Sequence, residues 1–382
     1  MNGDVAIVGA GVVGSATALA LARRGAAVTL LEAEDEAGLG ASGTNSGILH
    51  TGFDSVPGEL ETKLILRAAE LRDPVLEALA LPVERCGAVL RPRDPAGEAA
   101  VARLAGNAAR NGVEAELDTA GNLSVPGESI TDPLAYTRAL AAAAERNGVA
   151  IRMGFRVVAV ERSGAGIALV DPGGERVEAR AVVNAAGLGA DAVADAAGQD
   201  EFEIYPRKGE FLVFEPPAGE RLEQILLPVP EEGTKGVIVF PTVDGKVIAG
   251  PTAIDGTDKT DWSVRPPAPE EILAKAVPMW GPLAGAEAIA AYAGLRTAGR
   301  ERGGAARPLN YLIGPSPTCE GLVNVAAIRS TGLTASLAIA ERVSDLVAEQ
   351  GIGLGAEEPL LAPPGPGDLE PWWKVAAERS ER

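Results

Sequence analysis

The sequence predicts an α/β fold in which a parallel-sheet unit is interrupted by a β-rich second lobe. Three observations carry this: the pattern of residues 4–32, strand-like texture from Glu203 onward, and a return of small residues near Ala290. The apolar run Val5–Val8 suits a buried parallel strand, and Gly9, Gly11 and Gly14 follow it as G-x-G-x-x-G. Gly9 permits a tight turn, Gly11 lets a pyrophosphate approach the backbone, and Gly14 lets helix and strand pack closely. A helix over about Val12–Arg24 would aim its free N–H groups at the phosphates. Gly25 stops it, and Ala27–Leu31 give a second strand. Glu32 then supplies a carboxylate for a ribose diol and disfavours a 2′-phosphate, which argues against NADP. The motif by itself leaves NAD and FAD open.

The remaining elements follow in order. Gly38–Gly47 is a glycine- and serine-rich connection suited to passing close to a cofactor. Leu60–Leu81 has helical spacing and stops before Pro82. Residues 83–129 mix short strands with an alanine-rich helix near Ala99–Asn111. Asp132-Pro133 opens a helix to about Asn147, ended by Gly148. Val149–Val160 reads as two strand pieces around Gly154, and Arg180–Gly187 as a buried strand entering a small-residue turn. Glu210–Phe214, Val237–Phe240 and Lys246–Gly250 are strand-like, separated by Pro and Gly signals. Leu322–Val325 is a further strand, and Thr331 leads into a last helix over about Ala335–Gln350. The expected division is residues 1–80, 130–200 and 293–350 for the dinucleotide domain and 81–129 and 201–292 for the substrate domain. Residues 351–382 form a proline- and acid-rich tail carrying Pro371-Trp-Trp-Lys374.

A chain of 382 residues, 46% apolar, can bury two lobes, yet it has no uninterrupted apolar stretch long enough to span a bilayer. The first strand starts too early to leave room for a signal peptide, so a cytoplasmic protein is expected. Cys86 and Cys319 fit no metal-binding or C-x-x-C spacing, and no metal site is expected. A net charge of −19 without an evident basic patch argues against a nucleic-acid partner. An anionic substrate would need arginines gathered locally against that field.

Five further stretches stand out: Ala41–Gly52, Asn184-Ala-Ala-Gly187, Tyr205–Glu210, Ala293-Gly-Leu-Arg296 and Ile328–Thr334. With them the chain resembles, over about residues 3–345, the FAD-dependent amine and hydroxy-acid oxidoreductases that include glycine oxidase and D-amino-acid oxidase. It leans toward the branch of L-2-hydroxyglutarate dehydrogenases and FAD-linked glycerol-3-phosphate dehydrogenases. The resemblance implies FAD as cofactor and a glutathione-reductase-type Rossmann FAD-binding domain with an inserted β-rich substrate domain, the flavin lying at their junction. It implies that Ser42, Asn45, Ser46 and Gly47 lie near the pyrophosphate and isoalloxazine, and that Val157 meets adenine through its backbone. Ala186 and Gly187 would form a second FAD-contacting turn, while Gly332, Leu333 and Thr334 would present N–H groups to the flavin O2. Thr297, Arg329 and Thr331 depart from the pattern of the branch; Arg329 brings a second arginine toward the flavin.

Oxidising an alcohol on a flavin requires a base for the hydroxyl proton and groups that hold the rest of the substrate. His50, the sole histidine, is the expected base, since imidazole titrates near neutrality. Arg296 and Arg329 are the expected anion clamp, because guanidinium binds carboxylate bidentately and keeps its charge when buried. Lys208 is a candidate to lie near the flavin, whereas Lys63 is expected in solvent; Arg300, Arg302 and Arg307 crowd a glycine-rich turn. The expected activity is oxidation of a small anionic 2-hydroxy acid, L-2-hydroxyglutarate-like, by hydride transfer to flavin N5. The alternatives are sn-glycerol 3-phosphate, then an amine. The electron acceptor (oxygen, a quinone or another carrier) stays open. A non-catalytic alternative is a flavin-binding subunit or redox sensor, with Pro-Trp-Trp-Lys as a docking or peripheral membrane element.

Overall fold

The structure, a computed structural model, describes residues 3–164, 166–230, 236–303, 308–365, 367 and 370–382. Strand Gly3–Val8 sits in a parallel sheet between Val28–Leu31 and Arg176–Asn184, with Ala150–Arg152 and Leu322–Ala326 outside them. Alternation along the strand assigns its two faces. Val5 and Ile7 join a core with helices Val12–Ala22, Pro133–Arg146 and Gly332–Glu349, while Ala6 and Val8 meet Phe155, Ile167 and Leu169 on the other side. Burial on both faces is why the run reads as continuously apolar. Asp132 caps the helix Pro133–Arg146, its Oδ1 accepting from the N–H groups of Leu134 and Ala135 at 2.9 and 2.8 Å.

The second sheet is built on the long strand Phe202–Phe214. It pairs antiparallel with Ala290–Glu301 along nearly its whole length, and on its other edge with Val247–Gly250 and Ile254–Asp255. Ile238–Pro241, Ile225–Leu227 and Ala88–Leu90 continue the sheet outward. Residues 293–301 therefore lie in the second sheet, not in the dinucleotide unit where the return of small residues suggested. Those small residues mark the contact between the two. A Cβ on Gly294 would come within 2.8 Å of the Thr44 carbonyl oxygen in the glycine-rich connection. A helix over Ala268–Ala276, covering the second sheet, carried no distinct signal in the sequence.

The C-terminal segment also departs from expectation. Trp372–Glu381 is a helix whose Trp372 and Trp373 are 0% and 5% exposed, within the core of the second lobe. Trp372 N–H donates to Asp132 Oδ2 at 3.3 Å, Trp373 Nε1–H to Asp244 Oδ2 at 3.0 Å, and Ser380 Oγ accepts from Ala293 N–H at 3.0 Å. The two tryptophans of Pro-Trp-Trp-Lys are thus interior packing and not a docking or membrane-surface element, because both indoles are covered by the protein itself. Among the described residues no helix is long and apolar enough to cross a membrane.

Trp372→Ala is expected to destabilise the protein by about 3–5 kcal/mol, as loss of a large buried aromatic does. Denaturant unfolding measures this, and an unchanged midpoint would return the tail to the status of an appendage.

Candidate active site

The glycine motif is built as a close backbone contact. A Cβ on Gly14 would lie 1.8 Å from the Gly9 carbonyl oxygen, and one on Gly9 would lie 2.5 Å from that of Ala185. Gly9 also takes a φ of +103°, open to glycine alone without strain. These contacts seat helix Val12–Ala22 with its N-terminus at a cleft of about 660 Å³. Gly9, Gly11, Glu32, Ser42, Asn45, Val157, Ala186, Gly187, Gly332 and Leu333 all line this cleft. Ser42 Oγ accepts from Val12 N–H at 3.0 Å, and the helix has no side-chain cap of its own. Glu32 accepts from Ala10 N–H at 2.6 Å and Glu34 N–H at 3.0 Å, which fixes its carboxylate at the cleft wall with further lone pairs for a diol. Gly14 lies behind the helix, in its packing role.

A second cavity of about 170 Å³ adjoins the first, and Ala41, Asn45 and Arg329 line both. Ser46, His50, Glu61, Arg296 and Thr331 share its wall with apolar Phe53, Ile65, Leu90, Phe211 and Ile238. Gly47 and Thr334 line neither cavity. Gly47 packs against Thr131, whose carbonyl oxygen would sit 2.2 Å from a Cβ there. Thr334 Oγ1 instead accepts from His50 N–H at 3.0 Å.

His50 Nδ1 lies 3.0 Å from Oε2 of Glu128, which has no exposed surface. The other oxygen of Glu128 accepts from Thr51 N–H at 2.7 Å and Thr51 Oγ1 at 2.8 Å. Arg72 donates from NH1 to the His50 carbonyl at 3.0 Å; burial lowers its pKa and the nearby Glu128 charge opposes that shift. A Glu128 carboxylate bound to Nδ1–H selects the tautomer whose basic nitrogen is Nε2. Glu128 had no sequence signal. It sits in an unremarkable Pro-Gly-Glu turn, and only the fold brings it to His50.

Arg296 donates from Nε to the Arg207 carbonyl at 3.1 Å, and from NH2 to those of Lys208 and Thr252 at 3.2 and 2.7 Å. Among the described residues no carboxylate pairs with it. Burial, reinforced by the neighbouring Arg207, pushes its pKa down to about 10, so it stays cationic at neutral pH. Gly209 makes room for it: a Cβ there would be 2.7 Å from Pro251 and 3.2 Å from Arg296 NH2. Arg329 differs. Its guanidinium is bonded to Glu61, which also accepts from Thr331 Oγ1 at 2.6 Å.

Lys208 lines neither cavity, since its Nζ is committed to Asp261 at 2.6 Å and the Ser263 carbonyl at 2.9 Å. Lys63 is exposed. Arg300 pairs with Glu203 and Arg302 with Asp195, and Arg307 falls outside the described residues.

Residues 4–346 match the family model of FAD dependent oxidoreductases. The chain belongs to this family. It is 31% identical over 360 residues to a glycerol 3-phosphate dehydrogenase of Caloramator mitchellensis, covering 90% of this chain and 73% of the relative. It is 26% identical over 269 residues to an L-2-hydroxyglutarate dehydrogenase of Salmonella houtenae, covering 66% and 64%. Its fold superposes with a TM-score of 0.84 on the dithionite-reduced L-alpha-glycerophosphate oxidase of Mycoplasma pneumoniae, solved with FAD bound; that match has 25% identity and covers 94% of this chain and 97% of the other.

The protein is thus an FAD-dependent oxidoreductase, and its residues fit the cofactor. The open helix N-terminus, the glycines that a Cβ would jam and the anchored Glu32 together make a dinucleotide cradle. For such an oxidoreductase, His50→Asn is expected to lower kcat by about 10²–10⁴-fold, the usual contribution of a general base. Glu128→Gln should lower kcat in the same direction while leaving the protein yellow. Steady-state kinetics with a flavin absorbance spectrum checks both; wild-type kcat in His50→Asn removes the base assignment.

Proposed function

We propose that this oxidoreductase acts on a small alcohol with one anionic end, sn-glycerol 3-phosphate in the first place, oxidising its secondary hydroxyl to a ketone. The observation that carries the reading is the different pairing of the two arginines of the smaller cavity. Arg296 is cationic, desolvated and without a carboxylate partner among the described residues, whereas Arg329 is neutralised by Glu61. One guanidinium without a carboxylate partner suits a substrate with a single anionic group, whereas two separated carboxylates call for two such guanidiniums. The two carboxylates of L-2-hydroxyglutarate would require the Arg329–Glu61 pair to be broken, leaving Glu61 with little solvent to receive its charge. The likeness to the glycerol 3-phosphate enzymes over most of this chain supports the same choice.

In this reading Arg296 holds the phosphate and thereby orients the carbon bearing the hydroxyl. The apolar wall of Phe53, Ile65, Leu90 and Phe211 limits water around it. His50 accepts the hydroxyl proton at Nε2 as the C–H hydrogen departs with its electron pair, and the Glu128 carboxylate stabilises the imidazolium that forms. Bound FAD supplies the acceptor for that hydride.

Anaerobic mixing with sn-glycerol 3-phosphate should bleach the oxidised flavin band within the mixing experiment, and L-2-hydroxyglutarate should leave it in place. Bleaching by the dicarboxylate alone would reverse the assignment. Arg296→Met should raise KM by about 10–100-fold, the loss of a hydrogen bond between charged groups, with a smaller change in kcat. In Glu61→Gln the freed Arg329 should raise kcat/KM for L-2-hydroxyglutarate relative to sn-glycerol 3-phosphate. An unaltered ratio would show that the ion pair does not set the choice.

A further inference from the structure

The FAD cleft has two banks, lined from Glu32–Gly40 and Gly187–Val193, the segments that follow the two strands flanking Gly3–Val8. Lys259, Thr260 and Trp262 come from the other lobe, just past strand Ile254–Asp255, yet all three line the cleft. Their attachments show how they lie. Lys259 Nζ is bonded to both carboxylate oxygens of Asp191, at 2.6 and 2.7 Å, on the second bank. Trp262 carries the Arg379 guanidinium 4.4 Å from its ring centroid, and Arg379 NH2 donates to Glu34 Oε1 at 3.2 Å on the first bank. Between them Asp261 is held by Lys208. The segment is therefore fastened to both banks, and one fastening is supplied by the C-terminal helix.

Two of the ion pairs have one buried partner, while Lys259, Asp261 and Glu34 are 33%, 46% and 39% exposed. The Asp191 and Lys208 side chains are each 9% exposed, and a stacked guanidinium over an indole is among the stronger cation–π arrangements. Lys259 of the segment and Arg379 of the C-terminal helix both line the cleft, and each is paired with a carboxylate, Asp191 and Glu34.

We propose that residues 259–262, locked by Arg379, form a strap across the FAD cleft that must open for the cofactor to enter or leave. Retention of FAD is then set by contacts between Trp262, Arg379 and Glu34 at one end and Lys259 and Asp191 at the other, independently of which alcohol is oxidised.

The test is the rate of FAD release from full-length holoenzyme, read as the rise in free-flavin fluorescence after dilution, for Arg379→Met, Lys259→Met and Lys374→Met. Lys374 is an exposed residue of the same C-terminal helix and serves as the control. Opening either end is expected to speed release by about tenfold or more, since losses at such contacts fall mainly on the dissociation rate. Lys374→Met should release FAD at the wild-type rate. Far-UV circular dichroism and the melting point of each apoprotein establish folding, and should Arg379→Met fail to fold, Lys259→Met decides alone. Faster release from either strap variant with the control unchanged supports the strap. Wild-type release from both, or equal acceleration in the control, overturns it.

Discussion

Glu128 is a charged side chain with no exposed surface, and an unpaired carboxylate in that position would cost several kcal/mol. It is tolerated because both oxygens are occupied: one by the His50 ring, the other by the backbone and hydroxyl of Thr51. Those partners stand at the end of the glycine-rich connection. Satisfying Glu128 therefore fixes where that connection ends, next to the strand Ser129–Thr131 that Glu128 itself precedes. The connection in turn supplies Ala41 and Asn45 to both cavities. A single buried charge thus ties His50, the glycine-rich connection and the wall of the smaller cavity into one arrangement.

A second buried carboxylate does the equivalent work around Arg296. Glu210 is fully buried and accepts from Arg265 N–H at 2.7 Å, Arg265 NH2 at 2.8 Å and Thr252 Oγ1 at 2.8 Å. Holding Thr252 this way presents its carbonyl to Arg296. Arg296 is consequently aimed by neutral carbonyls while the nearest full negative charges are spent elsewhere. That division keeps its own charge available in the cavity. Arg329, with Glu61 against it, contributes shape and donor groups there without net charge.

The parts of this architecture legible in the sequence are those whose cause is local. Gly9, Gly11 and Gly14 report a backbone contact made within one βαβ unit, and Asp132-Pro133 announces a helix start through the capping geometry of the two residues themselves. His50 and Arg296 were reachable because they lie inside or beside stretches of recognisable pattern. Glu128, Arg72 and Glu61 were not, because their roles come from contacts across the fold with no periodicity to reveal them. The reading of residues 293–301 failed for a related reason. Small residues are needed wherever backbones approach closely, so Gly294 against Thr44 resembles a glycine of the cofactor unit although it belongs to the facing sheet. Trp372 and Trp373 show the same ambiguity, since indoles near a terminus suit an external partner and an internal core equally well until the packing is seen.

That last helix also explains how two lobes joined by several chain crossings act as one frame. Its first turn bonds to Asp132, which caps a helix of the dinucleotide unit, and to Asp244 in a turn of the second sheet. Its last turn bonds to the strand that carries Arg296, through Ser380, and to the cofactor bank, through Arg379 and Glu34. Any rotation of one lobe against the other must break contacts at both ends of a helix whose apolar face is buried. The distance between the strand that carries Arg296 and the larger cleft is therefore constrained by the C-terminal helix, and chemistry between groups held on the two lobes tolerates little misplacement.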